Sequence, residues 1–118
     1  MLNLSHKKLD VWKLSIELIK LIYKLTESFP KSELFGITNQ LRRASVSVAS
    51  NLAEGCARKS LIERKRFFEI SRSSLVEVDT QLEICMVLKY TTDTSISEIN
   101  QTLNILFAKL SKFIINAK

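Results

Sequence analysis

An all-α chain folded as an antiparallel, up-down-up-down four-helix bundle is what the sequence predicts. Apolar residues recur at alternating spacings of three and four through four long segments. Only two Gly and one Pro fall in 118 residues, too few for the many turns of a compact all-β domain. The links between segments are short and polar, which makes consecutive helices antiparallel neighbours. A strict 3-4 alternation matches the seam of a left-handed bundle, whose helices cross at about 20°. The length suits one domain, residues 1–118, with enough chain to bury a core.

The first helix is expected over residues 9–27, ending before Phe29-Pro30, because proline disfavours helical geometry in the residue it follows. It carries two apolar stripes. One is Trp12, Ile16, Ile19 and Tyr23; the other is Val11, Leu14, Leu18, Leu21 and Leu25. The second helix is expected over 33–55, from Ser32 or Glu33, with Leu34, Ile37, Leu41, Ala44, Val48 and Leu52 as its stripe. Gly55 reads as its left-handed cap. Along it Ser45, Ala49, Ala53 and Ala57 repeat every four residues, and such small side chains predict close helix packing.

The third helix, 60–90, opens with Ser60 and Glu63 in a capping box and buries Phe68, Ser71, Leu75, Val78, Leu82 and Cys85. The fourth, 95–116, opens with Ser95 and Glu98 in the same arrangement. Its stripe is Ile96, Ile99, Leu103, Leu106, Leu110 and Phe113. Ile105, Phe107, Ile114 and Ile115 lie outside that seam. Together with the second stripe of helix 1 they exceed what one core needs, unless the buried arcs are wide. Self-association is therefore expected.

Several function classes are disfavoured. No stretch approaches the ~18 uninterrupted apolar residues of a membrane span, and residues 1–13 lack the apolar centre of a secretory signal. Cys56 and Cys85 stand far apart with no CxxC partner, so two reduced thiols in a cytoplasmic protein are expected. His6 is the one histidine and precedes the helices. A His-based nucleophile pair, a His-containing metal site and a Glu-x-x-His di-metal centre then have no donor there. No Walker-type or GxGxxG loop is present. The chain reads as a non-enzyme that needs no cofactor and no metal.

The net charge of +6 is unevenly placed. Residues 42–72 hold eight basic and three acidic side chains, a net +5, against +2 before and −1 after. Arg42, Arg58, Lys59, Arg64, Lys65 and Arg66 are the candidates for phosphate contact, because Lys and Arg release condensed counterions from nucleic acid and Arg grips phosphate with two hydrogen bonds. The competing explanation is a solvated face with intrahelical ion pairs, Arg66 or Lys65 with Glu69. No aromatic stacking motif accompanies the block, and Phe67 and Phe68 read as core. Arg43, Asn51, Glu54, Arg72 and Glu77 fall where apolar residues would be expected. They are candidates for an interhelical or intersubunit polar network.

The series Leu9-Asp10-Val11-Trp12, Ile22-Tyr23, Phe29-Pro30, Gln40-Leu41-Arg42-Arg43-Ala44 and Ser50-Asn51-Leu52-Ala53-Glu54-Gly55 resembles the four-helix bundle proteins encoded in intervening sequences of bacterial 23S ribosomal RNA genes. Phe67-Phe68-Glu69-Ile70-Ser71-Arg72 and Ser74-Leu75-Val76-Glu77 continue the likeness, with Ser73 where the family has a small Gly. The resemblance implies a cytoplasmic bundle that assembles as a homopentamer. It extends to the accessory protein of diversity-generating retroelements, a basic pentamer that binds nucleic acid and a reverse transcriptase. The expected partners are thus further copies of the chain and RNA or DNA. A protein-interaction scaffold without a nucleic-acid role is the alternative.

Overall fold

A computed structural model describes residues 1–118 as four α-helices and no strand. They are α1 (Asp10–Thr26), α2 (Ile37–Ala57), α3 (Leu61–Val87) and α4 (Ser97–Ile115). Short 3-10 turns at Ser5–Lys8 and Lys31–Glu33 precede α1 and α2. No helix is long and apolar enough to cross a membrane.

Cross-helix contacts define the topology. Ser71 Oγ on α3 donates to the carbonyl of Val48 on α2 at 2.6 Å, and the hydroxyls of Ser47 and Ser74 lie 2.9 Å apart. At the α3–α4 seam Arg72 reaches Ser111, and the rings of Phe68 and Phe113 meet edge to face. Arg42 at the start of α2 bonds Thr26 at the end of α1. Lys109 near the end of α4 pairs with Asp10 at the start of α1. Each helix therefore runs antiparallel to its two neighbours, in a ring α1–α2–α3–α4, within an envelope of 43 × 27 × 21 Å.

The core follows the expected seams except at the end of α4, where Ile114, expected outside the stripe, is buried and Phe113 is only half-buried. Leu18 and Ile22 of α1, Leu41, Val48 and Leu52 of α2, Phe68, Leu75 and Val78 of α3, and Leu106 and Leu110 of α4 are fully buried. Of the two stripes on α1, the one through Val11 and Leu18 faces this core. The other is split: Ile16 and Tyr23 are exposed, while Trp12 and Ile19 are half-buried, Trp12 against the core. Ser45 and Ala49 of the small-residue series are buried, as close packing requires, while Ala57 is exposed.

Four expectations are corrected at helix ends. α2 starts at Ile37, not at Ser32 or Glu33, because Gly36 leaves helical geometry (φ −106°, ψ −122°) and Glu33 is held by Tyr90. Leu34 consequently lies exposed, outside the stripe. Gly55 is no left-handed cap; it sits buried inside α2, which continues to Ala57. α3 ends at Val87 in a Schellman motif, with Tyr90 N–H on Cys85 O and Lys89 N–H on Met86 O. Lys89 supplies the left-handed residue at φ 62°. Ser95 does not cap α4: its hydroxyl meets that of Thr92, its N–H donates to the same oxygen, and the helix begins two residues later. Ser60 does cap α3, its hydroxyl accepting from Glu63 N–H at 3.3 Å, but the Glu63 carboxylate does not reach back to the Ser60 N–H, so only half of the expected box forms.

Candidate nucleic-acid interface

The antiparallel ring brings together one end of every helix. The start of α1, the end of α2, the start of α3 and the end of α4 share one half of the bundle. In residues 1–17, 48–74 and 106–118, which form it, lie 12 of the 18 basic side chains and only five of the 12 acidic ones. That half carries a net +7, and the other half carries −1. The sequence block at 42–72 shows only part of this polarity. Lys7, Lys8 and Lys13 come to the same end from the N-terminal segment, and Lys109, Lys112 and Lys118 from the far end of the chain.

Few of these charges are cancelled. Arg58 pairs with Glu54 at 3.1 Å and Lys109 with Asp10 at 3.6 Å; no other basic side chain in this half lies within 4.0 Å of a carboxylate. Neither Arg66 nor Lys65 pairs with Glu69. The Arg58 guanidinium also lies over the Phe67 ring, 4.8 Å from its centroid, so the half-buried Phe67 supports a cation. Arg64 is half-buried beside Cys56, and its Nε meets no acceptor. Burial pushes the Cys56 thiol up, while the Arg64 charge acts in the opposite sense. Lys59 and Arg66 are exposed, and Lys65 is half-buried.

Arg42 does not belong to this cluster. It lies 16 residues before Arg58, the residue that follows α2, a separation of about 24 Å at ~1.5 Å per residue. Its Nε donates to Thr26 Oγ1 at 2.8 Å, and its guanidinium stacks 4.7 Å from the centroid of Tyr23. It lines a polar hollow of about 490 Å³ on the α1–α2 side with Tyr23, Asn39, Arg43, Ser50 and Asn51.

Within one chain the five polar candidates do not connect. Asn51 Nδ2 turns back to the Ser47 carbonyl and hydroxyl, both at 2.9 Å. Glu54 takes Arg58 rather than Arg72. Arg72 Nε donates to Ser111 Oγ at 2.8 Å, and its plane lies over Phe107 at 4.4 Å. Glu77 accepts from Gln81 at 3.3 Å, and Arg43 is exposed without a partner in the chain. Helical neighbours satisfied Asn51, Glu54 and Glu77 first; spacing along one helix made that outcome visible.

Both thiols are free. No three His, Cys, Asp or Glu side chains converge as metal ligands would. The arrangement at the basic end is an array of cations around helix termini. Chemically it can bind polyanions through phosphate oxygens, independently of base sequence.

A family model described as 23S rRNA-intervening sequence protein matches residues 7–112. None of the curated proteins matches the chain. Among solved structures, one described as a protein of unknown function from the S23 ribosomal protein family of Bacteroides thetaiotaomicron superposes with a TM-score of 0.78. The two sequences are 21% identical, and the match covers 88% of this chain and 97% of that one. At that identity the likeness concerns the fold.

Proposed function

The chain belongs to the family of 23S rRNA-intervening sequence proteins, and from that footing we propose that it is a non-enzymatic, self-assembling, cytoplasmic bundle that holds structured RNA or DNA by its phosphates. The observation that carries the reading is the segregation of charge: +7 in one half, with two of 12 basic side chains paired to carboxylates. Arg58, Lys59, Arg64, Lys65 and Arg66 form the centre of the surface, extended by Lys112 and the N-terminal lysines. Arg42, placed in the other half, is not part of it.

Assembly as a homopentamer, which the family resemblance implies, multiplies this field when the copies point the same way. Exposed apolar side chains on the flanks, Ile16, Tyr23, Val46 and Val76 among them, supply the surface such an assembly would cover. A fivefold array of cationic ends favours an extended polyanion over a small anion, because each neutralised phosphate releases counterions.

Titration of the purified protein against labelled duplex and single-stranded RNA, repeated from about 50 to 200 mM salt, tests the reading. Affinity should fall steeply as salt rises, and K65E/R66E should weaken binding alike for every sequence. No binding at low salt, or an affinity indifferent to salt, discards the proposal. A protein that co-purifies after nuclease treatment while nucleic acid is not retained would establish the scaffold alternative instead.

A further inference from the structure

We propose that the α1–α2 face of one copy seats on the α3–α4 groove of a second copy, with Arg42 meeting the partner's Asp79. This rests on the self-assembly in the functional reading above and names the surfaces that perform it. The first ground is position. In the ring α1–α2–α3–α4 these two seams lie on opposite sides of the bundle. The Ser47–Ser74 contact sets the register between α2 and α3. Each step back along α2 matches a step forward along α3, so position 42 stands level with position 79 and 46 with 75. Arg42 and Asp79 thus occupy the same height on opposite flanks.

Charge is the second ground. In the half away from the basic end, residues 18–47 carry a net +3 and residues 75–105 a net −4. The positive stretch builds the α1–α2 side, and the negative one builds the α3–α4 side. A two-fold contact between identical faces would set like charge against like. A contact between unlike faces sets positive against negative, which favours the encounter and fixes its orientation.

The side chains fit that pairing. Arg42 spends only Nε inside the chain and its guanidinium lies over Tyr23, which leaves both Nη groups with no acceptor in the chain. Opposite, a groove of about 260 Å³ is lined by Val76, Asp79, Asn100, Asn104 and Phe107. Asp79 is exposed and makes no ion pair or hydrogen bond in the chain. Each flank also presents aliphatic surface at that height, Val46 at 37% exposure and Val76 at 50%. Burying these together supplies the apolar centre, with the Arg–carboxylate pair as the directional contact. Because the two faces share one height, the second copy is reached without a shift along the bundle. A closed ring needs that absence of shift together with a constant rotation between neighbours, so the two faces must be inclined to one another and not exactly opposed; every basic end then points the same way.

The experiment compares the masses of the full-length protein and its charge variants by light scattering and sedimentation at micromolar concentration. Helicity is checked in parallel. D79R should dissociate at least tenfold more readily than the parent, and R42E should do the same. R42E/D79R in one chain should recover the parental mass. D79R, at an exposed position outside the core, carries the test even where R42E loosens the α1–α2 contact. A parent that is monomeric overturns self-assembly itself. A parent that assembles and a folded D79R that assembles equally well overturn this interface alone, as does a double variant that stays dissociated.

Discussion

A β-carbon added to Gly55 would stand 2.5 Å from Cε1 and 2.7 Å from Cδ1 of Phe68. The ring cannot yield, because Phe68 is fully buried and held edge to face by Phe113 at 5.0 Å between centroids. The backbone oxygen of Arg64, 3.1 Å from the same point, closes the other side. This glycine therefore sets how closely α2 and α3 approach beneath the basic end. Gly55→Ala should gain about 0.5–1 kcal/mol of helix propensity and lose about 1–3 kcal/mol to overpacking, a net destabilisation in urea unfolding. In a Phe68→Leu background the same substitution should cost less or turn stabilising. An unchanged penalty in that background would show that the ring is not the obstacle.

Arg72 ties α3 to α4 by two contacts of different kind, its Nε bond to Ser111 and its stacking on Phe107. Arg72→Ala should cost about 1–2 kcal/mol, the sum of a charge-assisted hydrogen bond and a half-buried cation–π contact. Lysine has no planar group to stack and no fixed fork to aim at the hydroxyl, so Arg72→Lys should recover only a minor part. Denaturant midpoints of the three proteins decide it, and full recovery by lysine would reduce the contact to simple charge.

Alkaline pH should loosen the opposite end of the bundle. Tyr90 donates to Glu33 at 2.7 Å, and that bond, with desolvation and the Glu33 charge, raises its pKa above the ordinary 10. Burial first, and then the same carboxylate, pushes the Cys85 thiol up from 9.0 to about 11. Both groups hold their protons more tightly when folded than unfolded. Their stabilisation is whole below the unfolded values; that of Cys85 is lost as pH rises from about 9 through 11, and that of Tyr90 is lost above 10. Unfolding midpoints at pH 8 and 11 should show the fall, and Tyr90→Phe should lower stability at pH 8 while flattening part of that fall. At pH 8 Cys85 should resist a thiol reagent until denaturant opens the core. A midpoint indifferent to pH across that range would contradict this assignment.

The seams were legible because burial enforces them: every member of the Phe68–Cys85 stripe is buried. Helix ends were legible only where local chemistry was unopposed. Ser60 capped as its spacing predicts, but Ser95 found Thr92 nearer than the helix it precedes. Glu33 looked like a helix start and was instead claimed by Tyr90, 57 positions away, which no local pattern contains. Gly55 invited a cap reading because its true constraint, a ring on another helix, is invisible along the chain. The basic block was half visible. Arg58–Arg66 cluster by sequence, whereas Lys109 and Lys112 join them only through the antiparallel ring, which also separates Arg42 from them.

That separation makes position, rather than total charge, the quantity to vary. Lys112 and Arg66 are exposed at the basic end, and Lys24 is equally exposed at the other. Reversing any one of the three changes the net charge by the same two units. If phosphates dock at the basic end, Arg66→Glu and Lys112→Glu should each weaken RNA binding and lower the salt slope by about one. Lys24→Glu should leave the slope unchanged, because a charge more than ~10 Å from the contact is largely screened at 0.1 M salt. Fluorescence anisotropy against one duplex at three salt concentrations separates the outcomes. Equal losses in all three variants would mean that binding follows overall charge and that the segregated end has no special part in it.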